Sequence, residues 1–263
     1  MAPAAWTFTV SHFPPDTAAY PSEVGARLGY ERRAYDEWYR AKSVRFERPF
    51  YYHHQPDNER AFAASLLARY DVRPGMQLID IGCGNGFYAN AFAARGLRVT
   101  AVDLSDAVID YAKRTHSSDV TWIAGDAFTQ PFDGVFDYAF CHFFTFFNAA
   151  DRPADFADYG RAMLRYLKPG GTLWFVWHSD LTAVRLPPER FSIMNYTIRQ
   201  LEGLFPDAAV HSYAVDGKAR VPRLLGRLAY NKYVTRLTCA GVAMSASNWW
   251  RARIVVAATR RAK

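Results

Sequence analysis

The sequence predicts an α/β protein built on a single doubly wound, mostly parallel seven-stranded sheet with helices on both faces. Three observations predict it. Short apolar runs alternate with helix-patterned segments from residue 77 to beyond residue 200, and strands joined through helices pair in parallel with right-handed crossovers. The run QLIDIGCGNG at 77–86 passes from an apolar strand into Gly82, Gly84 and Gly86 and then into a helical stretch, a junction where backbone can approach a ligand closely. A second apolar run, LRVTAVD, ends at Asp103, 17 residues after Gly86, where an acid is placed to hydrogen-bond a ribose diol.

The elements follow in order. Pro3, Pro14, Pro15 and Pro21 break any long element in the first 30 residues. From 31 to about 46 the pattern is helical, and Tyr35, Trp38 and Tyr39 share one face at i, i+3 and i+4. The segment 59–70 forms a helix with Phe62, Leu66 and Tyr70 on one face and Asp57 or Asn58 as its cap. Strands are expected at 77–82, 97–103, 119–126, 135–143, 172–178, about 208–215 and 251–259. Helices are expected at 87–95, at 105–116 with Ser105 as N-cap, at 151–167 and at 188–204. With no internal repeat and no low-complexity linker, the 263 residues read as one domain. Within it, 1–75 is an N-terminal helical extension, 76–215 the core, 216–250 an insertion and 251–263 the last strand with a basic tail.

Half the residues are hydrophobic and 22% are charged, a globular composition. No run approaches the roughly 20 apolar residues that a membrane span requires, and the first residues lack the pattern of a secretory leader. Cys83, Cys141 and Cys239 stand apart with no metal-ligand spacing. Those features lead us to expect a cytoplasmic protein with reduced thiols, no stable membrane insertion and no metal site. Adjacent His53 and His54 would point apart in an extended segment and share no ligand easily.

The net charge of +7 is uneven. Between Lys218 and Lys263 there are 11 Lys and Arg and no Asp or Glu, while the remainder holds 21 basic and 25 acidic residues. A basic end of this kind suits an anionic partner, whether a phosphorylated metabolite, nucleic acid or an anionic membrane surface, or is simply a solvated face.

Two cofactor classes use a strand, a glycine turn and a helix. The dinucleotide fingerprint would place its third glycine at position 87, where this chain has Phe87. Asp80 followed by Gly82, Gly84 and Gly86 instead resembles the first motif of the class I S-adenosylmethionine-dependent methyltransferases. Asp103 matches that family's ribose-binding acid, with Leu104 beside it against the adenine. Gly125, Asp126 and Ala127 match its G-D-A segment, whose acid reaches the adenine amino group, and LKPGGTL at 167–173 matches the turn into the fifth strand. The resemblance covers 77 to about 178 well and the flanks loosely. It implies S-adenosyl-L-methionine as cofactor, held by Asp80, Gly82, Gly84, Gly86, Asp103, Leu104, Asp126 and Ala127. It also implies that the aromatic helix at 31–46 can fold over the cofactor as a lid, and that the insertion 216–250 lies near the substrate as a possible cap.

Methyl transfer is an in-line displacement, so catalysis is largely proximity and alignment. A hydroxyl acceptor also needs a base. His142 and His178 end the fourth and fifth strands, facing the crevice where open α/β sheets bind ligands; His142 is the first choice. CHFF stands where amino-methylating enzymes of adenine and glutamine carry N/D-P-P-Y/F/W, and no cysteine motif for cytosine C5 chemistry is present. Phe143, Phe144, Phe146 and Phe147 form either an apolar acceptor wall or core packing. The expectation is methylation of a small or carrier-bound metabolite, with oxygen slightly favoured over nitrogen. The alternatives are a nucleic-acid methyltransferase and a non-catalytic cofactor-binding protein.

Overall fold

The computed structural model describes residues 56–144, 156–180, 196, 198–217 and 251–262. The expected lid at 31–46, the His53–His54 pair, Cys239, Phe146, Phe147 and nearly all of the insertion lie outside the described residues.

Seven strands form one sheet: β1 Gln77–Ile81, β2 Arg98–Asp103, β3 Val120–Ala124, β4 Phe136–His142, β5 Leu167–Asp180, β6 Ala209–Gly217 and β7 Arg251–Thr259. Their spatial order is β3-β2-β1-β4-β5-β7-β6. The pairs β1–β2, β1–β4, β2–β3 and β4–β5 are parallel, and β7 runs antiparallel to both β5 and β6. The chain therefore winds outward twice from β1, and the order reverses between β1 and β4, the switch point at which such sheets leave a crevice.

The helices are α1 Pro56–Arg69, α2 Phe87–Ala93, α3 Asp106–Thr115, α4 Ala157–Arg165 and α5 Ile198–Glu202. Strand alternation assigns them to two layers. On one face Leu78, Phe140, Trp174, Val176, Val255 and Ala257 are buried with Phe62 and Leu66 of α1 and Ala89 and Phe92 of α2. On the other, Ile79, Ile81, Cys141, Phe175, Trp177 and Ile254 pack with Met163 and Leu164 of α4 and Leu201 of α5. Burial on both faces explains why the central strands read as continuous apolar runs.

Two expectations need correction. Helix α1 begins at Pro56, so Asp57 and Asn58 lie within its first turn instead of capping it; proline is favoured at a first helical position, where its missing N–H costs nothing. The turn expected at KPGG is absorbed into β5, which starts at Leu167. Gly170 at φ +80° accommodates this, and the register with β4 shifts between Phe136 and Tyr138. Ser105 caps α3 as expected, its side chain accepting from the Val108 amide.

Candidate active site

The carboxyl ends of β1 to β4 converge at the switch point. Asp80 is the penultimate residue of β1, Asp103 ends β2, Asp126 lies two residues past β3, and His142 ends β4. The sheet thus brings together residues that span 62 positions of sequence because parallel pairing sets all four strand ends at one edge.

The glycine loop is held from three sides. The Gly84 amide donates to Asp103 Oδ2 at 2.9 Å, and the other oxygen of that carboxylate accepts from the Ser105 amide at 3.0 Å. Asp103 therefore braces the loop against the start of α3, a role that spacing alone did not reveal. The Gly82 and Cys83 amides donate to Val102 O. His116, at the end of α3, donates from Nε2 to Asn85 O at 2.8 Å, and burial lowers its pKa.

Packing also explains two of the glycines. Gly86 sits at φ +81°, and a Cβ there would lie 2.5 Å from Trp122 Cη2. At Gly82, φ is +70° and a Cβ would lie 2.9 Å from Phe144 Cδ2. The absent side chains are thus already required by the indole of β3 and the phenyl ring that follows β4, besides any approach of a ligand.

Asp80 is buried, and its Oδ2 has no hydrogen-bond partner among the described residues. Loss of solvent and then the nearby Asp103 push its carboxyl up to about 8, while the Ala89 amide bonds to it and opposes the rise. Burial likewise pushes up the thiols of Cys83, in the loop, and Cys141, on β4. An orphaned carboxyl oxygen whose charged neighbour is a second acid suits a cationic group. The sulfonium and ammonium groups of S-adenosylmethionine supply positive charge, so these residues fit that cofactor.

The residues that the resemblance assigns to the adenine follow β2 and β3. Leu104 is half-buried in the turn after β2, and Ala127 is buried, its carbonyl accepting from the Tyr166 hydroxyl at 2.6 Å. Asp126 Oδ1 accepts from the Phe128 amide at 2.9 Å, and burial raises its pKa.

His142 closes the crevice on the β4 side. Its imidazole packs on Tyr88, with ring centroids 4.8 Å apart, and on Phe143 at 4.2 Å. Phe143 has φ +50°, a conformation that bulky residues rarely adopt and that re-aims the chain directly after the strand. It sends Phe143 into the core against Trp177 and leaves Phe144 half-buried, stacked on Phe128. The phenylalanine cluster is therefore split: Phe143 is core packing, and Phe144 faces the glycine loop. His178 lies near the end of β5, in register with Arg253 of β7; its side chain is outside the described residues.

Sequence reasoning missed Glu59, Tyr88 and Arg253, which meet at this edge of the sheet. Faint signals existed. Glu59 shares a helix face with Phe62 and Leu66, and alternation puts Arg253 on the same strand face as Val255 and Ala257. Arg253 had been counted in the basic excess, yet it is buried and ion-paired, so that part of the charge is structural.

A doubly wound sheet in the order 3-2-1-4-5-7-6, with a glycine loop after β1 and acids at the ends of β1 and β2, defines a nucleoside-cofactor enzyme of the class I methyltransferase kind. Residues 79–175 match the family model described as a methyltransferase domain. Over this stretch the chain is similar to the class I S-adenosylmethionine-dependent methyltransferases, and S-adenosylmethionine is the cofactor that its loop and acids fit.

A malonyl-[acyl-carrier protein] O-methyltransferase of Serratia marcescens is 31% identical over 118 residues, covering 44% of each chain. A cypemycin N-terminal methyltransferase of a Streptomyces species is 38% identical over 98 residues, covering 37% of this chain and 40% of its own. The chain thus spans less than half the length of these two relatives. Among solved structures, geranyl diphosphate C-methyltransferase of Streptomyces coelicolor A3(2), crystallised with S-adenosyl-L-homocysteine, shares the fold. Its TM-score is 0.52 at 20% identity, covering 76% of this chain and 77% of its own. Among the described residues no helix is long and apolar enough to cross a membrane.

Proposed function

We propose that this chain transfers the methyl group of S-adenosylmethionine to a small or carrier-bound acceptor, an oxygen in preference to a nitrogen. The observation that carries the reading is the imidazole at the end of β4, across the switch point from the glycine loop. A hydroxyl must lose its proton as it attacks, and His142 is placed to receive it. An amine attacks through its lone pair and needs less help.

When bound, the cofactor supplies an electrophilic methyl group on a sulfonium. The chain's own contribution is to hold and align. Asp80 supplies negative charge beneath the loop, Asp103 receives the ribose hydroxyls, and Leu104, Asp126 and Ala127 form the adenine side. The ring of Phe144 against Gly82 narrows the space in which an acceptor can approach and keeps water from it.

The names of the similar proteins support a small or carrier-bound acceptor but not one acceptor atom. One is an O-methyltransferase of malonyl-[acyl-carrier protein] and one is the cypemycin N-terminal methyltransferase. The basic stretch from Lys218 to Lys263 favours a second reading in which the acceptor is nucleic acid.

Transfer of a labelled methyl group into an extract of the source cell, separated into small-molecule, lipid, protein and nucleic-acid fractions, tests both. Label in small molecules, lipid or a carrier protein is the expected result. Label in nucleic acid rejects the first reading. Cofactor binding without label in any fraction favours a non-catalytic protein.

A further inference from the structure

The edge of the sheet that carries the glycine loop also holds a buried ion pair that the cofactor site does not use. Arg253, near the start of β7, is 1% exposed, and Glu59, in the first turns of α1, is 5% exposed. The guanidinium makes a fork, Nη1 donating to Glu59 Oε2 at 2.7 Å and Nη2 to Oε1 at 2.8 Å. It lies over the Phe62 ring, 4.6 Å from the centroid. Nη1 also reaches the Tyr88 hydroxyl at 3.2 Å, and that hydroxyl donates to Glu59 Oε2. Tyr88 is the second residue of α2, directly after the glycine loop, and its ring packs at 61° against the imidazole of His142.

A buried ion pair contributes little net stability over an apolar filling of the same volume. What this one supplies is direction. A planar fork fixes a carboxylate in two dimensions, that carboxylate fixes one phenolic oxygen, and the anchored phenol offers a single orientation to the ring beside it. Segments separated by 29 and 165 residues from Tyr88 are needed to anchor it.

We propose that Glu59 and Arg253 are positioning residues for the acceptor side of the crevice: they anchor Tyr88 by its hydroxyl, and the anchored Tyr88 ring fixes the imidazole of His142. Its importance for turnover rests on His142 being the base, but the positioning itself is measurable without an acceptor.

Tyr88→Phe keeps the ring and removes the anchor. With ring-labelled histidine, assigned through His142→Gln, the His142 signals should broaden and lose the ring-current displacement that Tyr88, Phe140 and Phe143 impose. Affinity for S-adenosylhomocysteine and the thermal midpoint should stay near those of the parent. The double variant Glu59→Leu with Arg253→Met removes both charges together, so neither is stranded, and should reproduce the loss. Signals of His142 that ignore both variants overturn the proposal, as packing alone would then hold the ring. The same variants should slow label transfer into the fraction that the parent labels, at unchanged cofactor affinity. A parent that labels nothing rejects the base reading alone and leaves the resonance result standing.

Discussion

The Asp103 carboxylate accepts the Gly84 amide at 2.9 Å, so the acid at the end of β2 and the centre of the glycine loop are one hydrogen-bonded unit. Asp103 shapes the loop, and in the proposed function it also binds the ribose. Asp103→Ala should weaken S-adenosylhomocysteine binding by about 1–3 kcal/mol, the cost of stranding hydrogen-bonding groups, and should speed amide exchange at Gly84. Calorimetry and hydrogen exchange measure the two effects. Unchanged affinity in a folded variant removes Asp103 from the binding site.

Asp80 should make stability depend on pH. Its carboxyl is raised to about 8 in the folded protein, against about 3.9 in an unfolded chain. The folded state therefore binds a proton that the unfolded state has released, and the contribution is fully present below about pH 4 and lost as pH rises towards 8. Asp80→Asn cannot ionise. Its melting temperature should fall less steeply than the parent's between about pH 5 and 8, which a series of thermal melts would show. Parallel slopes would mean that Asp80 is ionised throughout.

Cofactor binding should reverse that preference. A cation beside Asp80 favours the carboxylate, so binding near neutral pH should release protons. Calorimetry in buffers of different ionisation enthalpy reads the release directly. Asp80→Asn should abolish most of it and weaken binding; an identical release from the variant assigns the proton to another group.

Gly86→Ala combines two penalties. A left-handed backbone costs a non-glycine residue roughly 1–2 kcal/mol, and overpacking against the Trp122 indole adds about 1–3 kcal/mol. Only the second can be relieved. Trp122→Leu in the Gly86→Ala background should therefore destabilise less than it does alone, a coupling that urea denaturation of the four proteins would measure. Strict additivity would show that the ring and the glycine do not meet.

His142→Ala should leave affinity for S-adenosylhomocysteine nearly intact while cutting label transfer. If the acceptor is a hydroxyl, transfer by the variant should recover at alkaline pH as solvent base replaces the imidazole. Full transfer at neutral pH excludes His142 as the base.

The sheet and the cofactor loop were legible in the sequence because both are local. Leu78, Ile79 and Ile81 declare a strand buried on both faces, Gly82, Gly84 and Gly86 a turn, and the spacing to Asp103 the end of the next strand. The strand and the turn depend on neighbours within a few positions, where backbone preference and apolar periodicity act, and the spacing to Asp103 is the 17 residues that one helix and one strand fill. The start of α1 was misplaced because Asp57 and Asn58 look like caps, whereas Pro56 starts the helix first.

Tertiary structure decided the rest. That Gly86 answers to Trp122, that Phe143 turns into the core while Phe144 covers Gly82, and that Arg253 meets Glu59 across 194 positions depend on which strand ends become neighbours. Local sequence carries no register between β7 and α1, and a charge count treats Arg253 as any other cation. Only packing removes its water and gives it one partner, because a charge buried without one would be too costly to keep.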